Sequence, residues 1–443
     1  MYRPFISGAI KSLVMLLLIS SCTKSDDNGD TQNSNTITTV QKQPNILLII
    51  ADDMGLDATP GYNIGNIKPN MPTLDSLATT GIKFNNVWAN PTCSPTRGTI
   101  ITGKYGFRTG VTEVGVELPL TETSIQKYID NKTNSTYSHA VIGKWHLSNR
   151  DAMHPNNIGV GHYAGTLGGG VKSYTNWDFT TNGVTTSSNK YLTTQITDLA
   201  INWVDSQTKP WFLWLAYNAP HTPFHLPPNH LHSQGALATD EASINSNPLP
   251  YYMAAIEAMD TEMGRLIKGM SQEDKDNTVI IFIGDNGSPG KVAQAYPNRR
   301  SKGSLYQGGV NVPMVISGKN VTGGNMTNNN LINSTDLFAT IADIAETGTS
   351  SINDSQSFLP LLKGDTFTGR DYIYAEAGSQ NATDVTIRNE SHKYILFNNG
   401  TEALYNLNED PLESINLLNV NRLPLNDIDS AMKDALITKL NNL

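Results

Sequence analysis

Cysteine is nearly absent: the 443 residues include only two, Cys22 and Cys93. That excludes a disulfide framework as the scaffold, and no Cys-x-x-Cys pair exists to hold zinc. Basic charge is also in deficit. With 31 Lys and Arg against 40 Asp and Glu, the formal net charge is −9, which argues against nucleic acid as a partner, since its phosphates demand a basic face. Long apolar runs are missing as well: Leu13–Ile19 is too short to span a bilayer. No internal repeat is present. What remains is an ordinary globular composition, 38% hydrophobic and 16% charged, with chain enough for one large domain plus a smaller one. An anionic ligand would need a local basic pocket in an acidic surface, so the placement of single Lys and Arg residues is informative.

Arg3 and Lys11 precede the apolar run, and Ser20-Ser21-Cys22 follows it. This is the layout of a secretory signal, and small residues immediately before a cysteine resemble a bacterial lipobox. The expectation is a signal peptide over residues 1–21, a lipid on Cys22 that anchors the protein to a membrane, and a polar tether over residues 22–43. The Lys24-Ser25-Asp26-Asp27 cluster resembles the surface-export signals of Bacteroidetes lipoproteins. Together these imply an exported bacterial lipoprotein at the outer membrane or cell surface, or on the periplasmic side. With Cys22 lipidated, Cys93 has no disulfide partner.

Four apolar runs carry the fold prediction. Ile46–Ala51 ends in Asp52-Asp53, and Thr278–Gly284 ends in Asp285-Asn286. His139–Gly143 leads into Lys144-Trp145-His146, and Trp211–Tyr217 leads through Asn218-Ala219-Pro220 to His221. Continuous apolar runs of this length fit parallel strands buried on both faces. In open α/β sheets ligands gather at the carboxyl ends of strands. The spacing therefore predicts one pocket holding three carboxylates, an amide, a lysine and two histidines. Oxygen ligands from Asp52, Asp53, Asp285 and Asn286 suit a hard cation, calcium or magnesium, and flexible geometry favours calcium.

The stretch Cys93-Ser94-Pro95-Thr96-Arg97-Gly98-Thr99-Ile100-Ile101-Thr102-Gly103 gives these ends a centre. It resembles the Cys-x-Pro-small-Arg signature of type I sulfatases, with Gly98 where the family usually has Ser or Ala. Gly-Lys-Trp-His at 143–146 and Ala-Pro-His-x-Pro at 219–223 match further family patterns. So does Tyr405-Asn406-Leu407-x-x-Asp410-Pro411-x-Glu413-x-x-Asn416-Leu417. The resemblance spans about residues 44–418. It implies an alkaline phosphatase-like α/β fold: a large mixed, mostly parallel sheet flanked by helices over residues 44–350, with a smaller C-terminal α+β subdomain over 351–443 carrying an antiparallel sheet. It also implies that a formylglycine-generating or sulfatase-maturing enzyme oxidises Cys93 to formylglycine, and that one calcium ion is held by Asp52, Asp53, residue 93, Asp285 and Asn286. Lys144 and Lys302 would contact the sulfate, Arg97 would hold the hydrated aldehyde, His146 would be a base and His221 an acid. Gln307 and Asn311 stand where the family usually has Glu and Arg, which puts the ion pairing around Lys302 in question.

Two stretches read as insertions facing the substrate, residues 148–190 and 222–250; aromatic residues there, such as Tyr174 and Trp177, are candidates for stacking on sugars. Residues 254–267 have the period of a helix packed on the sheet, its methionines as core, and a second helix starts near Asp336. The substrate implied is a sulfate monoester on polysaccharide or oligosaccharide. The rival activities are phosphate or phosphonate monoester hydrolysis on the same fold and sulfated-glycan binding without turnover. A two-zinc phosphatase would need more metal ligands than these motifs provide.

Overall fold

The structure, a computed structural model, describes residues 42–296 and 299–443. The expected signal peptide, Cys22 and nearly all of the tether lie outside the described residues. From Lys42 to Leu443 the chain forms one unit. Its main strands are β1 (Asn45–Ala51), β2 (Ile82–Phe84), β3 (Ser138–Lys144), β4 (His162–Thr166) and β5 (Trp177–Thr181), then β6 (Val184–Ser188), β7 (Trp211–Ala216), β8 (Thr278–Gly284), β9 (Met314–Gly318) and β10 (Met326–Asn328). They make one sheet in the order β10-β2-β9-β8-β1-β7-β3-β4-β5-β6. The middle of it, β8-β1-β7-β3-β4, is parallel throughout, while β9, β5 and β6 join antiparallel. The sheet is mixed with a parallel centre, as the apolar runs predict.

Alternation explains why those runs are apolar at every position. Ile46, Leu48 and Ile50 of β1 point into one core together with Phe212, Trp214, Ile281 and Ile283. Leu47, Ile49 and Ala51 point into the other with Leu213, Leu215, Ile280 and Phe282. A strand buried on both faces has no position left for a polar side chain until it ends. The first core is closed by α1 (Cys93–Thr102) and by a helix over Asp336–Ile344, which supply Ile100, Ile101, Leu337 and Ile341. On the second face lie α2 (Leu192–Asp205) and α3 (Leu249–Gly269), where Met259 and Met263 are core residues.

Register aligns the strand ends: Ala51 pairs with Gly284, Ile50 with Ala216, and Ala216 with Gly143. The next residues along, Asp52, Asp285 and Lys144, therefore emerge on one edge.

The C-terminal stretch holds a four-stranded antiparallel sheet over Ile373–Ser379, Ala382–Arg388, His392–Leu396 and Glu402–Asn406. The helix Asp427–Leu440 covers it through Leu436, which packs with Ile387, Tyr394 and Leu404. Between the sheets, Phe358, Leu359, Leu361 and Leu362 pack into the core of the large sheet, and the antiparallel sheet begins only at Ile373.

Residues 148–190 correct an expectation. They are not all loop: β4, β5 and β6 lie within them and extend the large sheet outward. Tyr174 and Trp177 are buried, at 2% and 3% exposure, which leaves neither ring open at the surface for sugar stacking, and Trp177 lines a cavity. The Tyr174 hydroxyl donates to the carbonyls of Asn218 and His221, and the Trp177 indole donates to the Lys190 carbonyl.

Candidate active site

The motif residues start a helix. Cys93 is the first residue of α1, Pro95 is tolerated because the first turn has no N–H partner to lose, and the helix stops at Gly103, whose φ of 66° suits glycine. One turn on from Cys93, Arg97 is fully buried with its guanidinium on Asp285, Nε at 3.2 Å and Nη2 at 2.8 Å from Oδ2. Its Nη1 donates to the Lys144 carbonyl at 2.8 Å. Arg97 thereby ties α1 to the ends of β8 and β3, and Asp285 is the partner that holds it.

Around Cys93 the strand ends close in. The Cys93 Sγ lies 3.3 Å from Asp52 Oδ1, 3.9 Å from Asp53 Oδ1 and 3.3 Å from Lys144 Nζ. Lys144 Nζ also sits 2.6 Å from Asp52 Oδ2. Lys302 Nζ approaches Asp53 Oδ2 at 2.5 Å, and His221 Nε2 is 3.7 Å from the same oxygen. His221 Nδ1 is 2.7 Å from the Thr222 carbonyl, so Nδ1 carries the proton and leaves Nε2 facing Asp53. His146 adopts a φ of 57°, and its Nδ1 is buried with no partner. All the predicted site residues are thus at one edge of the sheet.

Electrostatics sorts these groups. Burial, the Asp52 carboxylate and Asp285 push the Cys93 thiol well above its usual value, against Lys144 and Lys302. It is a neutral thiol here, and a neutral thiol is a poor nucleophile. Burial alone would lower Lys144 and Lys302, but Asp52 raises the first and Asp53 the second, so both stay charged. His146 is pushed down to about 2 by burial, Lys144 and Arg97 and remains neutral.

The residues fit a hard cation. One ligand atom from each of Asp52, Asp53, Cys93 and His221 lies within 4.8 Å of the others. Asn286 donates its Nδ2 to Asp53 Oδ1 at 2.8 Å, while its Oδ1 is buried with no donor among the described residues. A buried oxygen without a donor is costly, and a cation among carboxylates would satisfy it. Asp285 is engaged on both oxygens: Oδ1 accepts from the Asp53 N–H at 3.0 Å and Oδ2 from Arg97.

The departures at Gln307 and Asn311 resolve without ion pairs. Gln307 Oε1 accepts from the Trp88 indole at 2.8 Å, and the Asn311 amide bridges the Val87 N–H and the Asn85 carbonyl. Gly98 packs against Val111, where an added β-carbon would lie 3.4 Å from that side chain. His221 and His225 are four residues apart, but they do not form a metal pair. His225 stacks on Tyr174 with centroids 3.9 Å apart and meets the Tyr191 hydroxyl through Nε2.

Two supports are not legible in the motifs. Tyr252 of α3 donates to the Asp53 carbonyl at 2.7 Å and shares a hydrogen bond with Ser288, and Ser94 donates to the His146 carbonyl at 2.8 Å. The first signals itself only as a tyrosine in an otherwise apolar helix face.

Known proteins resemble this chain in sequence and in fold. The family model described as "Sulfatase" matches residues 44–347, and "N-sulphoglucosamine sulphohydrolase, C-terminal" matches 300–442. Arylsulfatase J of Mus musculus is 28% identical over 69% of this chain and 53% of its own length. The N-acetylgalactosamine-6-sulfatase of Sus scrofa is 26% identical over 76% of this chain and 69% of its own. The chain thus spans about half the length of the first and about two thirds of the second. Among solved structures, Ps i-CgsB in complex with k-i-k-neocarrahexaose is 25% identical with a TM-score of 0.75, covering 90% of this chain and 92% of that one. BT4656 in complex with D-glucosamine-2-N,6-O-disulfate is 20% identical with the same TM-score of 0.75, over 90% and 98% of the two chains, and supports the fold alone.

Proposed function

The chain belongs to the sulfatase family, and on that premise we propose that it hydrolyses sulfate monoesters on polysaccharide or oligosaccharide, using a formylglycine made from Cys93 and one calcium ion. The observation that carries this reading is Cys93 itself: buried, held in the neutral form, yet ringed by Asp52, Asp53, Lys144 and His221. As a thiol it has little chemistry to offer. As formylglycine, residue 93 supplies a hydrated aldehyde, one hydroxyl as nucleophile toward sulfur and the other as the group whose deprotonation returns the aldehyde and releases sulfate. Asp52, Asp53, Asp285 and Asn286 with residue 93 would hold the calcium, which would supply fixed positive charge to the sulfate.

The remaining roles fall to side chains already placed. Lys144 and Lys302 stay charged on Asp52 and Asp53 and present N–H donors to the sulfate oxygens. Arg97 anchors Asp285 and, one turn from residue 93, fixes the helix that carries it. His221, on the partly open side of the cluster, is placed to protonate the leaving alcohol through Nε2. His146, with an Nδ1 that has no partner among the described residues, is the candidate base for the second hydroxyl; negative charge building at residue 93 would have to raise it from the low value that burial, Lys144 and Arg97 impose.

Sulfated carbohydrate is supported as the substrate class by the similarity to an N-acetylgalactosamine-6-sulfatase and to a structure holding a neocarrahexaose. Export, a lipid on Cys22, surface attachment and a maturing enzyme for Cys93 rest on the sequence readings alone. Rates on matched aryl sulfate and aryl phosphate esters test the activity. Sulfate hydrolysis well above phosphate hydrolysis supports the reading; the reverse order would replace it with a phosphomonoesterase.

A further inference from the structure

Beside the reaction centre lies a cavity of about 460 Å³ that the mechanism leaves unused. Its wall is the glycine run of the β4–β5 connection. An added β-carbon on Gly169 would come within 2.3 Å of the His146 ring, and one on Gly170 would lie 3.5 Å from His221. One thickness of backbone therefore separates the two histidines from the cavity. The cavity is also lined by Arg150 and Lys172, with Asp178 as the one acidic side chain of its lining. Arg150 holds a left-handed φ of 63°, a conformation that L side chains rarely keep without cause. Both cations are exposed, and neither has a carboxylate or hydrogen-bond partner among the described residues. Lys172 also lines a second cavity, of about 600 Å³, next to Thr222 and so on the flank of His221, where Lys291 adds another cation.

In a chain of net charge −9, unpaired cations gathered against the reaction centre need a reason. The volume is within the range that admits a small ligand such as a sugar ring. We propose that this cavity is a subsite for a second anionic group, a sulfate or carboxylate on the sugar next to the one that loses its sulfate, held by Arg150 and Lys172. The proposal rests on the sulfatase reading and narrows its substrate to densely anionic glycans. The two residues bind and position; they do not touch the reacting sulfur.

The test uses oligosaccharides that share the reacting ester and differ in the neighbouring sugar, which carries an O-sulfate, a carboxylate or neither. Sulfate release is measured for the wild type and for Arg150→Gln, Lys172→Gln and the double variant, with melting curves to confirm folding. The wild type is expected to favour an anionic neighbour by about tenfold in kcat/KM, the size of a charge-assisted hydrogen bond, mainly through KM. In the double variant that ratio falls toward one. Preference for the sulfated or the carboxylated neighbour identifies the anion. A ratio of one in the wild type, or one unchanged in the double variant, overturns the subsite while sulfate release keeps the sulfatase reading intact. Binding to Cys93→Ser protein separates the converse case. Selective binding that needs Arg150 and Lys172, with no sulfate release by wild type from any member, retains the subsite and removes the hydrolase reading. Binding without selectivity overturns the subsite.

Discussion

Two of the places where the chain buries charge differ in kind. At the strand ends Asp52, Asp53 and Asp285 face Arg97, Lys144 and Lys302; in the C-terminal region Lys393 and Glu413 face each other, 2.5 Å apart, with both side chains fully buried. The C-terminal pair is closed. Lys393 stands over the Trp88 ring at 4.9 Å, Glu413 accepts from the Gln307 N–H at 2.5 Å, and Arg300 donates to the Glu413 carbonyl. The strand-end cluster has an opening: 22% of the Lys302 side chain and 17% of that of His221 remain exposed. Burial dominates at Lys393, which is pushed down to about 8 despite Glu413, whereas neighbouring carboxylates hold Lys144 above its usual value. Buried charge alone therefore does not mark an active site. An opening and several carboxylates around one residue do.

Breaking the first cluster should cost activity and spare the fold. Cys93→Ala is expected to lower sulfate release by about 10⁵-fold, as losing a nucleophile does. Its stability in urea should change by no more than about 1 kcal/mol. Calcium removal by a chelator should cost about 10³-fold in rate, the worth of several kcal/mol of charge stabilisation, and added calcium should restore it. Lys144 and Lys302 also pair with Asp52 and Asp53, so the melting transition should persist.

The second cluster should behave in the opposite way. Glu413→Gln leaves Lys393 buried without its counter-charge, and urea unfolding should show a loss of about 3–5 kcal/mol. Equal damage to stability from Cys93→Ala would erase the distinction.

The C-terminal region should also shape the pH dependence of stability. Burial raises Glu376 from 4.5 to about 7, against the N–H groups of Phe107 and Gly106. The folded chain keeps a proton there that the unfolded chain releases between those values. Stability is therefore lost as pH rises from about 4.5 to about 7, by up to about 3 kcal/mol. Glu376→Gln should flatten that part of a urea-midpoint profile; an unchanged slope would assign it elsewhere.

The same contrast explains what the sequence makes legible. β1, β3, β7 and β8 are readable because burial on both faces demands unbroken apolar runs, and their ends carry the polar residues that such strands exclude. The turn from Cys93 to Arg97 is readable because four residues make one helical turn. Partners chosen by tertiary packing are not. Nothing local says that Arg97 binds Asp285, 188 positions away, or that Tyr174 holds the His221 carbonyl. β4 to β6 escape notice for another reason: Gly, Thr and Asn there give no apolar run, and an edge of the sheet needs none. Gln307 shows the limit of pattern matching, since a neutral amide fills a charged position by accepting from the Trp88 indole.

The central claim is that residue 93 works as an aldehyde. Mass spectrometry of the peptide spanning residue 93, from protein made in a host able to modify it, tests this directly against the sulfate-release rate of the same sample. An aldehyde in place of the thiol, with activity rising in proportion to the modified fraction, is the predicted result. Full activity in protein whose residue 93 is entirely thiol would contradict it.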